Sequence, residues 1–209
     1  MIKRIKVLLV LVLSFSTVLA VALPAAYMDD VHYKTNTERL AVSNNKSIEV
    51  LELFMYTCPH CYHLEPEVDD WKSSMDDNVT FAQVPAVFSL RQVPFARAFY
   101  AAESLGYMEK LHPLFFEAIH EDGLQLSTEK QILDYVASQG IERQTFEKMM
   151  KSFAVKTKVK KATAVTKKSG ITGVPAFVIN GQYHTSVPMA GGVEQLFSVV
   201  DFLIGHSSD

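Results

Sequence analysis

The feature that most constrains this fold is an apolar run that leads directly into a predicted helix. The stretch SIEVLELFMYT, Ser47 to Thr57, carries apolar side chains on both faces, which is typical of a strand in the buried centre of a sheet. The next residues are Cys58-Pro59-His60-Cys61. Proline suits the first position of a helix because the N–H it lacks would have no partner there. The pattern predicts a helix from Pro59 to about Met75, with both cysteines at its start.

The rest of the chain predicts an α/β fold whose sheet is interrupted by an inserted all-helical subdomain. A second strand is expected at Val79 to Phe88, and VPAFVINGQYHTSV predicts a hairpin with its turn at Asn180-Gly181. A final helix is expected from about Val193 to Ile204. Between the second strand and the hairpin, helical spacing covers Arg91–Glu103, Tyr107–His120, Thr128–Gln139, Arg143–Phe153 and Ala154–Ser169. We therefore expect a sheet-bearing unit of residues 23–88 and 171–209, with residues 89–170 inserted as helices.

The N-terminal segment predicts a secretory signal peptide. Lys3, Arg4 and Lys6 precede an uncharged apolar run, and small residues follow it. Cleavage is expected after residue 22, or as late as residue 26. A membrane anchor is the alternative, because the uncharged run is about 20 residues long. The prediction is an exported protein.

Charge narrows the choice of partners. The full chain has a net charge of −3, which argues against nucleic-acid binding. The segment from Lys148 to Lys168, however, holds eight lysines and no acidic residue. A solvated helix face explains this segment, and a docking surface for acidic partners or anionic lipid is the alternative.

The two cysteines, Cys58 and Cys61, fit a redox couple better than a structural disulfide, a zinc site or a haem attachment site. A disulfide that closes so short a loop removes little entropy from the unfolded chain, so it would stabilise the folded protein only slightly. Structural zinc needs further ligands, and a second CxxC pair is absent from the sequence. Covalent haem attachment needs histidine directly after the second cysteine, where Tyr62 stands. No metal and no cofactor are expected.

A cysteine pair at a helix start gives the two sulfurs different chemistry. Cys58 at the N-cap would face free backbone N–H groups and the positive end of the helix dipole, which stabilise a thiolate. His60 would add positive charge beside it. Cys58 is therefore predicted to be the exposed nucleophile with a lowered pKa, and Cys61, one turn further, the shielded resolving thiol. A stabilised thiolate favours the reduced form, so the disulfide should oxidise other thiols.

Two further positions stand out. Glu52 lies within the apolar strand, six residues before Cys58, where a carboxyl group is costly unless it has a role. We expect it to exchange protons with Cys61; the alternative is a strand-edge side chain that reaches solvent. Pro175, after Val174, opens the predicted hairpin. It is either an ordinary proline at the start of an edge strand or a proline with a cis peptide bond. Glu65 and Glu67 are interpreted as surface acids that favour the helix N-terminus.

Together these motifs resemble the DsbA family of periplasmic thiol oxidases, which is built on the thioredoxin fold. The resemblance rests on CPHCY at Cys58–Tyr62, on Glu52, on the helical block and on GVPAFVINGQY at Gly173–Tyr183. It implies a cis Val174–Pro175 bond against Cys58 that shapes the substrate site. It also implies reoxidation by a DsbB-like membrane quinone reductase. One departure is Gln83, near the position where the family often has a buried lysine.

The resulting hypothesis is a monomeric dithiol oxidase. It would introduce disulfide bonds into reduced exported polypeptides by exchange at Cys58 and Cys61, with Pro59 and His60 as part of the catalytic motif. A disulfide isomerase or reductase of the same fold, and a redox-independent peptide-binding chaperone, remain the alternatives.

Overall fold

The computed structural model describes residues 27–42 and 46–207. The predicted signal peptide, residues 1–22 with cleavage as late as residue 26, lies outside the described residues. Within them the chain forms one mixed sheet whose strands lie in the order β1-β5-β4-β2-β3. The strands are β1 (Lys34–Thr35), β2 (Ile48–Phe54), β3 (Val79–Pro85), β4 (Ala176–Ile179) and β5 (Tyr183–Ser186). The predicted α/β fold with a helical insert is confirmed.

The helices follow the predicted order closely. α1 (Pro59–Ser73) follows β2, and a 3-10 turn (Leu90–Gln92) and five α-helices lie between β3 and β4. These are α2 (Val93–Leu105), α3 (Met108–His120), α4 (Glu129–Ser138), α5 (Arg143–Met150) and α6 (Phe153–Lys168). α7 (Val187–Ala190) and α8 (Val193–His206) complete the chain after β5. Across residues 27–42 and 46–207, no helix is long and apolar enough to cross a membrane.

Strand β2 occupies the interior position that its apolar residues predicted. It pairs in parallel with β3, where Glu52 lies opposite Gln83, and antiparallel with β4, where Leu51 lies opposite Val178. All seven residues of β2 are buried. Parallel neighbours need a crossover connection, and α1 supplies it.

Each face of the sheet is covered by its own apolar cluster. On one side Val50 packs with Trp71 of α1 and with α8 residues such as Leu196. On the other side Leu53 packs with residues of the helical insert, including Phe116 and Phe146. The motif at residues 58–61 therefore lies where the sheet, α1 and the insert meet.

Two short elements were not predicted. β1 has two residues and pairs with β5 across about 150 positions of sequence, with Lys34 opposite His184. α7 has four residues and directly continues β5. The predicted strands were also too long, since β2 ends at Phe54 and β3 at Pro85. Short elements carry little periodic signal, so tertiary contacts decide them.

The hairpin turn at Asn180-Gly181 is a tight constraint. Both residues have positive φ, 49° and 64°, as a two-residue hairpin turn requires. A β-carbon on Gly181 would lie 2.4 Å from the backbone oxygen of Leu40, whose N–H in turn donates to the Gly181 carbonyl. The turn thus holds the segment before β2 against the sheet.

We predict that Gly181→Ala destabilises the protein by about 2–4 kcal/mol, because it adds a clash with backbone to the strain of a positive φ. Gly140→Ala is the matched control, since Gly140 has φ of 78° and nothing within 4 Å of its β-carbon position. That variant should cost only about 1 kcal/mol. Urea unfolding followed by fluorescence of Trp71, the single tryptophan of the chain, measures both. Equal costs would show that the Leu40 contact is easily relieved.

Candidate active site

The redox motif begins one turn after β2 ends. Residues 55–57 form a turn in which the Cys58 N–H donates to the Met55 carbonyl at 3.0 Å. Cys58 is the N-cap residue of α1, and Pro59 takes the first helical position, as predicted. The Cys61 and Tyr62 N–H groups donate to the Cys58 carbonyl at 3.1 and 3.2 Å, which closes the first helical turn. Both thiols are free, so this is the reduced state of the pair.

The two sulfurs differ strongly in acidity. A hydrogen bond from the Cys61 thiol, with weaker help from the backbone N–H groups of Cys61 and His60 and from the charge of His60, lowers the pKa of Cys58 to about 6. Partial burial opposes this shift without reversing it. Hydrogen bonding to Cys58 and burial raise the pKa of Cys61 far above its ordinary value. The pair therefore holds one proton at neutral pH, on Cys61.

The prediction that Cys58 is exposed is wrong. Its exposed fraction is 8%, against 0% for Cys61, while Pro59 and His60 are exposed. The Val174 carbonyl oxygen lies 3.4 Å from the Cys58 sulfur and helps to cover it. A thiol can donate to that oxygen but a thiolate cannot, so ionisation gives up this contact for the donors at the helix start.

The peptide bond between Val174 and Pro175 is cis, as the resemblance implied. Pro175 is buried and Val174 half-buried, and they form a wall that meets the Cys58 sulfur at the Val174 carbonyl. A cavity of about 620 Å³ opens beside this wall, lined by His60 and Leu64 of α1, by residues 170–176 and by the segment leading into α7. The sequence-predicted residues of the motif and of the hairpin start are thus brought together at one site.

Glu52 is fully buried, so the alternative of a strand-edge side chain in solvent is wrong. Burial and the nearby charge of Glu65 raise its pKa to about 8, although the hydrogen bond from Gln83 opposes the shift. Gln83 Nε2 donates to Glu52 Oε2 at 3.0 Å, whereas Oε1 has no hydrogen-bond partner. The charge of Glu52 also helps to raise the pKa of Cys61. An acid that stays protonated near neutral pH thus lies within electrostatic range of the resolving thiol.

Sequence reasoning missed the groups around Glu52. Glu65 is not the surface acid that was predicted: its side chain is 19% exposed, and its oxygens contact Gln83 and His112 at 3.1 Å. His112 in turn contacts the hydroxyl of Tyr56 at 2.9 Å. The only sequence signal was the spacing of His112, Phe116 and His120 on the apolar face of α3, a pattern that also fits ordinary core histidines. Over residues 27–42 and 46–207, no group of three or more potential metal ligands forms.

The site combines a mixed sheet, a cysteine pair at the start of a helix, a lowered thiol pKa at Cys58, and the cis-proline segment beside that thiol. This combination defines a thiol–disulfide oxidoreductase. The family model for the DSBA-like thioredoxin domain matches residues 82–203. The thiol:disulfide interchange protein DsbA of Azotobacter vinelandii is 38% identical over 78% of this chain and 76% of its own. That of Burkholderia cepacia is 33% identical over 99% and 98%. The crystal structure of Pseudomonas aeruginosa DsbA superposes with a TM-score of 0.82 at 34% identity, over 87% of this chain and 95% of that one. This chain belongs to the DsbA family of thiol:disulfide interchange proteins.

We predict that Cys61→Ala raises the pKa of Cys58 by one unit or more, since it removes the largest stabilising hydrogen bond. Cys61→Ser is the matched control: it also prevents disulfide formation but keeps an O–H donor, so the shift should be about half as large or less. Ultraviolet absorbance of the thiolate against pH measures both variants. If both variants titrate like the parent, the backbone N–H groups rather than the Cys61 donor hold the anion.

We predict that Glu52→Gln removes a loss of stability that the parent protein shows as the pH rises from about 4.5 to about 8. The Glu52 pKa is about 8 in the folded protein against 4.5 as a free group, so between these values the folded state keeps a proton that the unfolded state has lost. Stability of the parent relative to the variant should fall with rising pH, by up to about 1.4 kcal/mol per pH unit, and level off above pH 8. Urea unfolding of the reduced forms at several pH values measures this. A flat difference would contradict the raised pKa.

Proposed function

We propose that this protein is a dithiol oxidase that transfers its Cys58–Cys61 disulfide to reduced exported polypeptides. The observation that carries the proposal is the opposite shift of the two thiol pKa values. One sulfur is stabilised as an anion and the other as a thiol, so the reduced pair is favoured over the disulfide.

The size of this effect depends on pH. With a pKa of about 6 in place of 9.0, ionisation of Cys58 stabilises the reduced protein by ~1.4 kcal/mol at pH 7, or ~30 mV for a two-electron couple. Below pH 6 the effect disappears, because Cys58 is then protonated whether or not its pKa is lowered. The shift makes the disulfide more oxidising, which supports the oxidase over a reductase of the same fold.

The exchange proceeds in two balanced steps. A substrate thiolate attacks the Cys58 sulfur, the Cys58–Cys61 bond breaks, and Cys61 leaves as a thiolate that must take up a proton. Glu52, protonated up to about pH 8, is the proposed donor of that proton. A second substrate thiolate then attacks the first substrate sulfur, so that the substrate disulfide forms and Cys58 leaves as a thiolate. Two electrons pass to this protein.

The remaining site residues support this exchange. Pro59 starts α1, so that the backbone N–H groups of the first helical turn face the Cys58 sulfur. His60 adds positive charge beside it. Val174 and Pro175 form the wall against which an incoming chain would lie, and the cavity beside them offers mainly apolar contact. Because unfolded polypeptides expose apolar side chains, such a surface suits substrates that have not yet folded.

The setting of the reaction follows from the family and the sequence. We propose that residues 1–22, or as far as 26, direct export to the periplasm, and that the mature protein acts as a monomer. A DsbB-like membrane quinone reductase would reoxidise the pair. Residues 23–88 and 171–209 form the proposed thioredoxin-like domain, and residues 89–170 the helical subdomain.

The oxidase proposal predicts rapid loss of free thiols from an unfolded two-cysteine peptide mixed with the oxidised protein, with the peptide disulfide as product. Cys58→Ser should abolish transfer, and Cys61→Ser should abolish turnover while still forming a mixed disulfide with an activated substrate. Equilibration with glutathione, followed by mass spectrometry, gives the potential of the pair. A potential as reducing as that of thioredoxin would overturn the oxidase proposal and favour a reductase.

A further inference from the structure

Helix α6 carries a dense set of lysines on the sides that the core leaves uncovered. Val155, Val159 and Ala162 bury its inner side against the rest of the insert. The segment from Lys148 to Lys168 holds eight lysines, with neither an acidic residue nor an arginine. Four exposed lysines of α6 form what we call the basic face: Lys156, Lys160, Lys161 and Lys167.

The remaining lysines around α6 are paired with nearby acids. The Lys158 ammonium lies 2.6 Å from a carboxylate oxygen of Glu103, and that of Lys168 lies 3.3 Å from one of Glu38. Lys151, just before the helix, pairs with two acids of α4 and α5. Among the residues that the structure describes, no lysine of the basic face takes part in a salt bridge. The charge of the basic face is therefore open to a partner.

An exposed aromatic side chain stands at the start of the same helix. Phe153 is the first residue of α6, and 86% of its surface is exposed to solvent. Lys160 and Lys167 follow it at intervals of seven residues, which is close to two helical turns, so the three side chains lie along one side of α6. The row is roughly 20 Å long. It is apolar at one end and cationic along the rest.

The composition of this surface favours a lipid bilayer over other anionic partners. Specific protein interfaces are enriched in arginine and depleted in lysine, and this segment holds lysine alone. Nucleic acid is disfavoured by the net charge of the chain, −3. A bilayer with anionic headgroups presents negative charge over a broad area and an apolar layer beneath it. A row of lysines with an aromatic side chain at its end matches both layers.

We propose that the basic face of α6, together with Phe153, docks on the surface of a lipid bilayer that contains anionic headgroups. Because the chain as a whole is net negative, such a surface attracts this face and repels most of the others, so the protein binds in one orientation. Helix α6 ends at Lys168, six residues before Val174, so docking also sets how the redox site is turned relative to the membrane. A few lysines and one aromatic group hold the protein reversibly.

The test is co-sedimentation of the protein, expressed from its full-length sequence, with large vesicles of phosphatidylcholine and phosphatidylglycerol at about 0.1 M salt. Vesicles of pure phosphatidylcholine measure any binding that does not depend on charge. We expect the triple variant Lys160→Gln, Lys161→Gln and Lys167→Gln to lower the charge-dependent partition coefficient roughly 100-fold, since each lysine near an anionic surface contributes about fivefold. Phe153→Ser should lower it about fivefold, because the apolar contact is lost.

The matched control removes the same charge from other helices. Lys72→Gln, Lys110→Gln and Lys130→Gln, on α1, α3 and α4, should together cost no more than about threefold, since charges away from the docked face are screened over about 10 Å. Equal losses in the two triple variants would overturn the proposal, and so would equal binding to both kinds of vesicle. Capture by polyglutamate without vesicle binding would overturn it in favour of an acidic polypeptide. Vesicle binding is measured without any thiol exchange, so this proposal and the oxidase proposal can fail separately.

Discussion

The hydrogen bond from the Cys61 thiol to the Cys58 sulfur is the interaction on which the chemistry depends. It is the largest contribution to the low pKa of Cys58, and the same bond raises the pKa of Cys61. One contact thus makes one sulfur a nucleophile and the other a proton carrier. The local fold positions this bond. Strand β2 leads into the start of α1, Pro59 occupies the first helical position, and the first turn of α1 sets the distance between the two sulfurs.

The surroundings of this bond are divided between two parts of the molecule. The sheet contributes Glu52 and Gln83, and α1 contributes Glu65, whereas His112 and His120 come from the insert. Family membership establishes thiol–disulfide interchange for this chain. The structure adds a physical account in which burial in the central strand, with the charge of Glu65 as a second contribution, keeps the acid Glu52 neutral. Where family members often place a lysine, Gln83 supplies two neutral N–H donors, which stabilise a carboxylate less than a cation would.

Local sequence signals predicted most of the fold and the centre of the site. The apolar run of β2, the helical spacing of the insert and the Asn180-Gly181 turn each identify an element from neighbouring residues alone. The signals failed where distant contacts decide the outcome. β1 exists only through pairing with β5, Cys58 is covered by the carbonyl of Val174, and Glu65 is enclosed by residues from β3 and α3. The contact of His112 with Glu65 could not be predicted, because the sequence spacing of a histidine on an apolar helix face is the same whether or not it meets a carboxylate.

The two connections of the helical insert to the sheet lie close together. β3 ends at Pro85, level with Phe54 of β2, and β4 begins at Ala176, level with Leu53. The β2 residues opposite the two junctions are thus only four and five positions before Cys58 in the sequence. Leu53 also packs with Phe116 and Phe146 of the insert, so the insert and the central strand share one apolar core at this level. A substitution that loosens that core would therefore be felt at the sulfur pair, whereas one in the outer helices of the insert would not.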